Sequence, residues 1–342
     1  VARTGGLVEP LAGGGLPESP ETKRRLRNII EVTGLARELE IRSAEPASRE
    51  ALLRVHPADY LDRFEQLSAT GGGEMGERTP FGPGGFGIAT LSAGLIETAL
   101  KAVLEGRHTN AYALCRPPGH HCLPATPMGF CLLANIAIAI RSARAAGLAT
   151  RFAVVDWDVH HGNGTEAIFA EDPHVLTISV HQRGNYPLGS GEVAPDATAN
   201  INIPLPPGAG HRTYIEAFDR IVTPALHAFG PDVIVVASGF DASGVDPLSR
   251  TLCRSHTFAE MTGKLMDAAA ELCGGRIAMA HEGGYSEVHV PFCGHAVLQR
   301  MSGSAIHAED PLDPRILAHQ PDPDFESYLS ARVGAIAEAY RL

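Results

Sequence analysis

Asp156, Asp158 and His160 stand two residues apart, directly after the apolar run Phe152-Ala-Val-Val155 and within the stretch Asp156-Trp-Asp-Val-His-His-Gly-Asn-Gly164. Two carboxylates and two imidazoles so close together are more than a strand end needs for capping. The run is short and β-branched, so it reads as a buried strand. If extended backbone continues through it, the i, i+2, i+4 spacing points all three side chains the same way. Carboxylates buried side by side are costly unless a cation or donors compensate them. One imidazole with one or two carboxylates is a good part of a zinc site. A third ligand is expected from Asp241, which follows the apolar run 233–238. Asp158, His160 and Asp241 would leave one position open for water. Such an ion lowers the pKa of that water and polarises a substrate carbonyl.

Arg116-Pro-Pro-Gly-His-His121 offers two further imidazoles. A site already holding three ligands has little use for them as ligands, and they suit proton transfer. Each needs an orienting partner. Asp156 and Asn163 are the spare polar groups, so His120 is expected to pair with Asp156 and His121 with Asn163. The Asn adds no charge and raises its imidazole less than an Asp would. Tyr285 follows Gly283 and Gly284, which free the backbone to bring the phenol close. A phenol there can donate to the oxyanion that forms when water attacks a carbonyl. Gly129, Phe130, Tyr186 and Gly284 are the candidates for lining a narrow substrate channel.

These groups follow apolar runs that alternate with helical patterns. Strands are expected over 111–115, 152–156, 175–180, 233–238 and 277–280. Helices are expected over 23–32, twice within 48–67, and over 88–104, 130–146, 165–170, 211–229, 256–272, 291–301 and 323–340. Ser19 and Pro20 are start signals for the first. Residues 1–20 and 69–85 read as Gly-rich loops. The alternation implies a three-layer αβα fold, a parallel sheet covered by helices on both faces. In such sheets ligands bind beyond the carboxyl ends of the strands. All five strands are followed there by the polar residues named above, or by His181.

At 342 residues the chain is long for one domain, but α/β enzymes reach this size, and no compositional break divides it, so residues 1–342 are taken as a single domain. Hydrophobic content of 44% and charged content of 20% fit an ordinary globular protein. No run of about 18 apolar residues occurs, so no membrane span is expected. The chain opens at Val1 without an initiator Met and without a signal-peptide pattern. Cys115, Cys122, Cys131, Cys253, Cys273 and Cys293 form no CxxC and read as buried reduced thiols, consistent with a cytoplasmic setting. A net charge of −11 disfavours nucleic-acid binding and mildly favours cationic substrates.

Taken in order, Arg116 to His121, Gly129-Phe-Cys131, Asp156 to Gly164, Val175-Leu-Thr-Ile-Ser-Val-His181, Ser238-Gly-Phe-Asp241 with Asp246-Pro247, and His281-Glu-Gly-Gly-Tyr285 closely resemble the histone deacetylase and acetylpolyamine amidohydrolase family, bacterial class II-like members above all. The resemblance covers about residues 20–300. It implies the arginase-like fold with a parallel sheet of about eight strands. It implies zinc at Asp158, His160 and Asp241, His120 as general base, His121 as acid or electrostatic partner, and Tyr285 as the carbonyl-polarising residue. It also implies structural potassium or sodium at two places. One uses Asp156, Asp158, His160, Ser179 and Val180; the other uses carbonyls around Phe169, Asp172 and Val175. The expected function is hydrolysis of an N-acyl amide: a small-molecule amide, an acetylpolyamine or acetyl-lysine. The expected partners are that small substrate and further copies of the chain, as a dimer or tetramer. The rivals are a protein lysine deacetylase proper, a binuclear manganese ureohydrolase on the same fold, which would need more carboxylates at the strand ends, and a non-catalytic acyl-amine-binding module, which would lack a catalytic group. Two segments depart from the family pattern. The N-terminus lacks the usual first-strand His-Asp, and 182–197 is short. Both border the mouth of the site, where substrate choice is made.

Overall fold

Strands that are apolar up to their carboxyl ends must be covered on both faces, and the two central strands here are of that kind. The computed structural model describes residues 16–197 and 199–342. A small antiparallel ribbon pairs β1 (Gly73–Glu74) with β2 (Pro80–Phe81). The main sheet holds β3 (Asn110–Ala113), β4 (Phe152–Asp156), β5 (Val175–Gln182), β6 (Asn200–Leu205), β7 (Val233–Ser238) and β8 (Ile277–His281). Its order is β3-β8-β7-β4-β5-β6, and every pairing is parallel. The chain enters at the β3 edge, moves to β4, winds outward through β5 and β6, and returns to β7 on the other side of β4. The winding therefore reverses between β4 and β7. Loops leaving those two strands diverge and open a crevice at the carboxyl end.

Alternate residues of each strand separate the two faces. Phe152, Val154, Val233, Val235, Ala278 and Ala280 pack with Leu95, Ile96, Leu100, Ile136 and Ile140, so helices Gly85–Leu104 and Asn135–Ala145 cover one side. Ala153, Val155, Ile234, Val236 and Met279 pack with Leu26, Phe218, Phe258, Leu298 and Val333. Helices Glu21–Thr33, Ser255–Cys273, Val290–Ser302 and Pro323–Tyr340 cover that other side. The six cysteines are all buried and free.

Several expectations need correction. The main sheet has six strands, not about eight. The count of eight came from the resemblance rather than from apolar runs, and β6 lacked such a run because Asn200 and Asn202 interrupt it. The helix expected from 130 begins at Asn135, because Gly129 and Phe130 both take left-handed backbone, at φ 54° and 68°. The 69–85 loop contains the β1–β2 ribbon. The helix over 211–229 widens into a π turn at Phe218–Val222, just before Pro224, which has no N–H to continue a regular ladder. Helix Gly85–Leu104 is long and apolar enough to cross a membrane, with a mean hydropathy of 1.4, contrary to the expectation that no such segment exists. Its apolar stretch is instead 61% buried inside the protein, which is the pattern of a core helix. The loop expected over 1–20 and the altered first strand fall largely on residues 1–15, outside the described residues.

Phe258 is fully buried and meets Phe240 edge-on at 5.2 Å, one residue before Asp241. Phe258→Ala should therefore cost about 3–5 kcal/mol of stability. The check is a lower denaturant midpoint with an unchanged slope; an unmoved midpoint would contradict this packing.

Candidate active site

β4 ends at Asp156, and the chain then turns rather than continuing extended. The Asp156 carboxylate accepts the Asp158 N–H at 3.0 Å, and the Asp158 carboxylate accepts the His160 N–H at 3.0 Å. Two successive Asp-stabilised turns of this kind replace the persistent strand on which the common direction of Asp156, Asp158 and His160 depended. They send Asp156 toward His120 and leave Asp158 and His160 facing Asp241. His160 Nδ1 lies 3.0 Å from Asp158 Oδ1 and 3.0 Å from Asp241 Oδ2. The remaining carboxylate oxygens take backbone donors, Val159 N–H on Asp241 and Gly283 N–H on Asp158, each at 2.8 Å. Glycine is required where the loops close in. A Cβ on Gly283 would sit 2.1 Å from Asp241 Oδ2, and one on Gly239 would sit 2.2 Å from Asp158 Oδ2.

Both carboxylates are fully buried. Burial, followed by the charge of Asp158, pushes Asp241 up to about 7. Burial alone would raise Asp158 too, but His120 and His160 outweigh it and hold it well below the carboxylate range. Burial opposes a charge on His160, yet Asp241 and Asp158 lift it to about 10. His160 Nδ1 and one oxygen of each carboxylate thus converge on one point. A divalent cation there compensates the carboxylate charge, and an Asp-His-Asp set suits zinc. The residues fit the group.

The structure brings the two imidazoles to their expected neighbours. His120 Nδ1 donates to Asp156 Oδ2 at 2.9 Å, and His121 Nδ1 donates to Asn163 Oδ1 at 2.8 Å. The rings stand 3.9 Å apart. Burial works against a charge on His120, but Asp158 and Asp156 outweigh it and raise its pKa well above the ordinary value. Burial, then the neighbouring His120 and His160, lowers His121 well below it. One member of the pair holds a proton readily and the other does not.

Tyr285 stands with its ring 6.4 Å from that of His160 and 5.7 Å from that of Phe130. Burial and the Asp241 and Asp158 charges push its phenol well above its usual range, so it stays a donor. Gly284 takes φ +118° at the approach. The Tyr186 ring lies 5.0 Å from His121 and 6.2 Å from His160. Its hydroxyl is buried with no protein partner among the described residues. A Cβ on Gly129 would come within 2.4 Å of His121 and 2.8 Å of Tyr186. Half-buried Phe130, Tyr186 and Tyr285 thus border the imidazoles and the Asp-His-Asp cluster.

Three supporting residues escaped the sequence reading. Glu282 accepts the N–H groups of Gly119 (2.6 Å) and His120 (3.2 Å), and burial pushes it up to about 7. Asp246 accepts the Tyr285 N–H at 2.7 Å and so fixes the phenol's backbone. Glu166 binds His161 Nε2 at 2.7 Å and is itself held by Asn200 and Asn202. His161 in turn donates its N–H to the Tyr186 carbonyl at 3.0 Å. Glu282 and Asp246 lie inside the motifs quoted above, which was a signal; Glu166 carried none.

The residues expected to hold potassium also hydrogen-bond within the chain, and each carbonyl among them keeps a second lone pair. Ser179 Oγ lies 2.9 Å from His181 Nδ1. The Phe169 and Asp172 carbonyls accept the Asp172 and Val175 N–H groups at 2.8 and 3.1 Å. Arg144 pairs with the Asp172 carboxylate and Arg141 stands 3.6 Å from it.

Carboxylates, oriented imidazoles and a phenol meeting at the switch point of a parallel α/β sheet define a hydrolase-type centre. Comparison with known proteins narrows the class. The histone deacetylase domain model matches residues 16–301. A histone deacetylase-like amidohydrolase of Pseudomonas aeruginosa is 52% identical over 99% of this chain and 90% of its own length. A probable deacetylase of Archaeoglobus fulgidus is 36% identical over 90% of this chain and 88% of its own. The crystal structure of the HDA15 HD domain superposes with a TM-score of 0.81 at 30% identity, covering 97% of this chain and 95% of that one. The chain belongs to the histone deacetylase family, and its chemistry is that of a deacetylase-type amidohydrolase.

The close approach of Gly283 to both carboxylates gives a direct test. Gly283→Ala should abolish metal retention by this cluster, because the methyl group displaces the oxygens of Asp158 and Asp241. Metal analysis beside an unchanged circular dichroism spectrum checks it; full metal retention would contradict the geometry.

Proposed function

We propose that this protein hydrolyses the amide of a small N-acylated amine by zinc-assisted attack of water. The observation that carries the reading is the buried Asp158, His160 and Asp241 cluster, faced by an oriented imidazole pair and a phenol in a chain of this family. Zinc held there would supply a Lewis acid that activates water and polarises the amide carbonyl. The chain's own groups do the rest. Tyr285 donates its hydroxyl hydrogen bond to the carbonyl oxygen as charge builds on it. His120 is oriented through Nδ1 by Asp156 and accepts the water's proton at Nε2. It can do so once the Asp158 charge that otherwise keeps it protonated is neutralised. His121, oriented by Asn163, serves as acid or electrostatic partner while the amine leaves with that proton. The products are a carboxylate and an amine.

The aromatic border of Phe130, Tyr186 and Tyr285 favours a slender acyl-amine over a bulky one. The net charge of −11 favours amines that carry a second, cationic group. The name histone deacetylase-like amidohydrolase borne by the Pseudomonas relative agrees with amide hydrolysis.

Two outcomes are expected. Tyr285→Phe should lower kcat by about 10²–10³, as for loss of one oxyanion donor, with metal content unchanged; near-wild-type turnover would remove the phenol from the mechanism. In a panel of acetylated polyamine, acetyl-lysine peptide and neutral N-alkyl amide, the polyamine should rank first in kcat/KM, and its lead should shrink as salt rises. A peptide ranked first would favour a protein deacetylase instead.

A further inference from the structure

We propose a second, peripheral divalent-metal site of the zinc type, built by His211, His256 and Glu260. It shares no residue with the Asp158, His160 and Asp241 cluster. His256 and Glu260 are four residues apart on helix Ser255–Cys273, so their side chains stand on one face. His211 opens the neighbouring helix, His211–Ala217. Both imidazoles aim at the same atom: His211 Nε2 lies 3.5 Å and His256 Nε2 3.6 Å from Glu260 Oε2. All three donor atoms fall within 4.8 Å of one another.

These separations are too long for good hydrogen bonds, which run to about 3.2 Å. They match a shared ion well. Donors placed about 2.0–2.1 Å from a tetrahedral zinc stand about 3.4 Å apart. The support behind the donors is also in place. His211 Nδ1 lies 3.1 Å from Thr257 Oγ1, which is itself fixed by the Arg254 N–H at 3.0 Å. With Nδ1 donating to that hydroxyl, the Nε2 lone pair faces a carboxylate oxygen, and a cation between them reconciles the two. Metal-bound histidines are commonly oriented through the other ring nitrogen in this way. The Arg254 guanidinium is held in a two-pronged pair with Asp313 at 2.7 and 2.6 Å. The His256 side chain is 64% exposed, which opens the site to ions from solvent and leaves room for water as a fourth ligand.

The consequence is mechanical. The segments leading into these two helices are already laced together by Leu252 N–H to Ala209 O (2.8 Å) and Gly208 N–H to Arg250 O (2.6 Å). The second of those segments also carries Asp241 and Asp246. An ion across His211 and His256 ties the same two segments from outside and braces the loop behind the active site without entering the chemistry.

The test uses the full chain, stripped with chelator and dialysed against zinc chloride alone. Wild type should retain two zinc ions. His256→Ala and Glu260→Gln should each retain one, with turnover unchanged. Asp241→Asn should retain the peripheral ion while losing the other, which separates failure of this site from failure of the active-site reading. Zinc added beyond the first equivalent should raise the Tm of wild type and not of His256→Ala. Equal zinc counts in wild type and His256→Ala would overturn the proposal. The same Tm rise in both proteins would overturn it as well.

Discussion

Two carboxylates, Asp158 and Asp241, lie fully buried against one imidazole, and the rest of the molecule can be read as the means of tolerating and using them. Charges of one sign do not stay together in a dry interior without compensation. Backbone N–H groups from Val159 and Gly283 supply part of it, and His160 supplies another part. Each donor depends on a particular strand end. β4 and β7 are adjacent at the reversal of the sheet, so their loops bring Asp158 and Asp241 face to face. β8 delivers Gly283 between them. The apolar strands and their two helical layers make this juxtaposition rigid.

The same charge organises the groups around it. Asp156 turns away from the cluster and holds His120, adding its charge to that of Asp158 on the ring. Asn163 holds His121 without charge. Two adjacent imidazoles of the same chain are thereby driven to opposite protonation preferences, which is the division a proton shuttle needs. Glu282 reaches under the pair from the β8 side and fixes its backbone, and Asp246 does the same for Tyr285. The site thus has an inner set of carboxylates, imidazoles and a phenol, and an outer set of groups that hold them in place. Nearly all of the outer set is buried.

How much of this was legible depended on distance along the chain. β4 and β7 could be bounded to the residue because each is a continuous apolar run between polar turns. β6 could not, since Asn200 and Asn202 break its pattern, and Asn200 earns its place only by meeting Thr177 and Glu166 across space. The link between His120 and Asp156 followed from chemical need alone. The route by which Asp156 leaves the cluster did not, because a turn closed by a side chain looks like a strand when only spacing is counted. Phe130 was misplaced for a similar reason: a left-handed residue inside an apolar stretch carries no periodic signal. Glu166 meets Asn200 and Asn202, and His211 meets His256 and Glu260, only across long stretches of chain, which no local pattern announces.

The central claim is that the buried acidic cluster works only with a cation in it. The most direct measurement is turnover of an acetylated amine by chelator-stripped protein as zinc is returned in steps. The account predicts no turnover in the stripped protein, a linear rise to one equivalent per chain, and a plateau thereafter. Full turnover in stripped protein shown to be metal-free would contradict it.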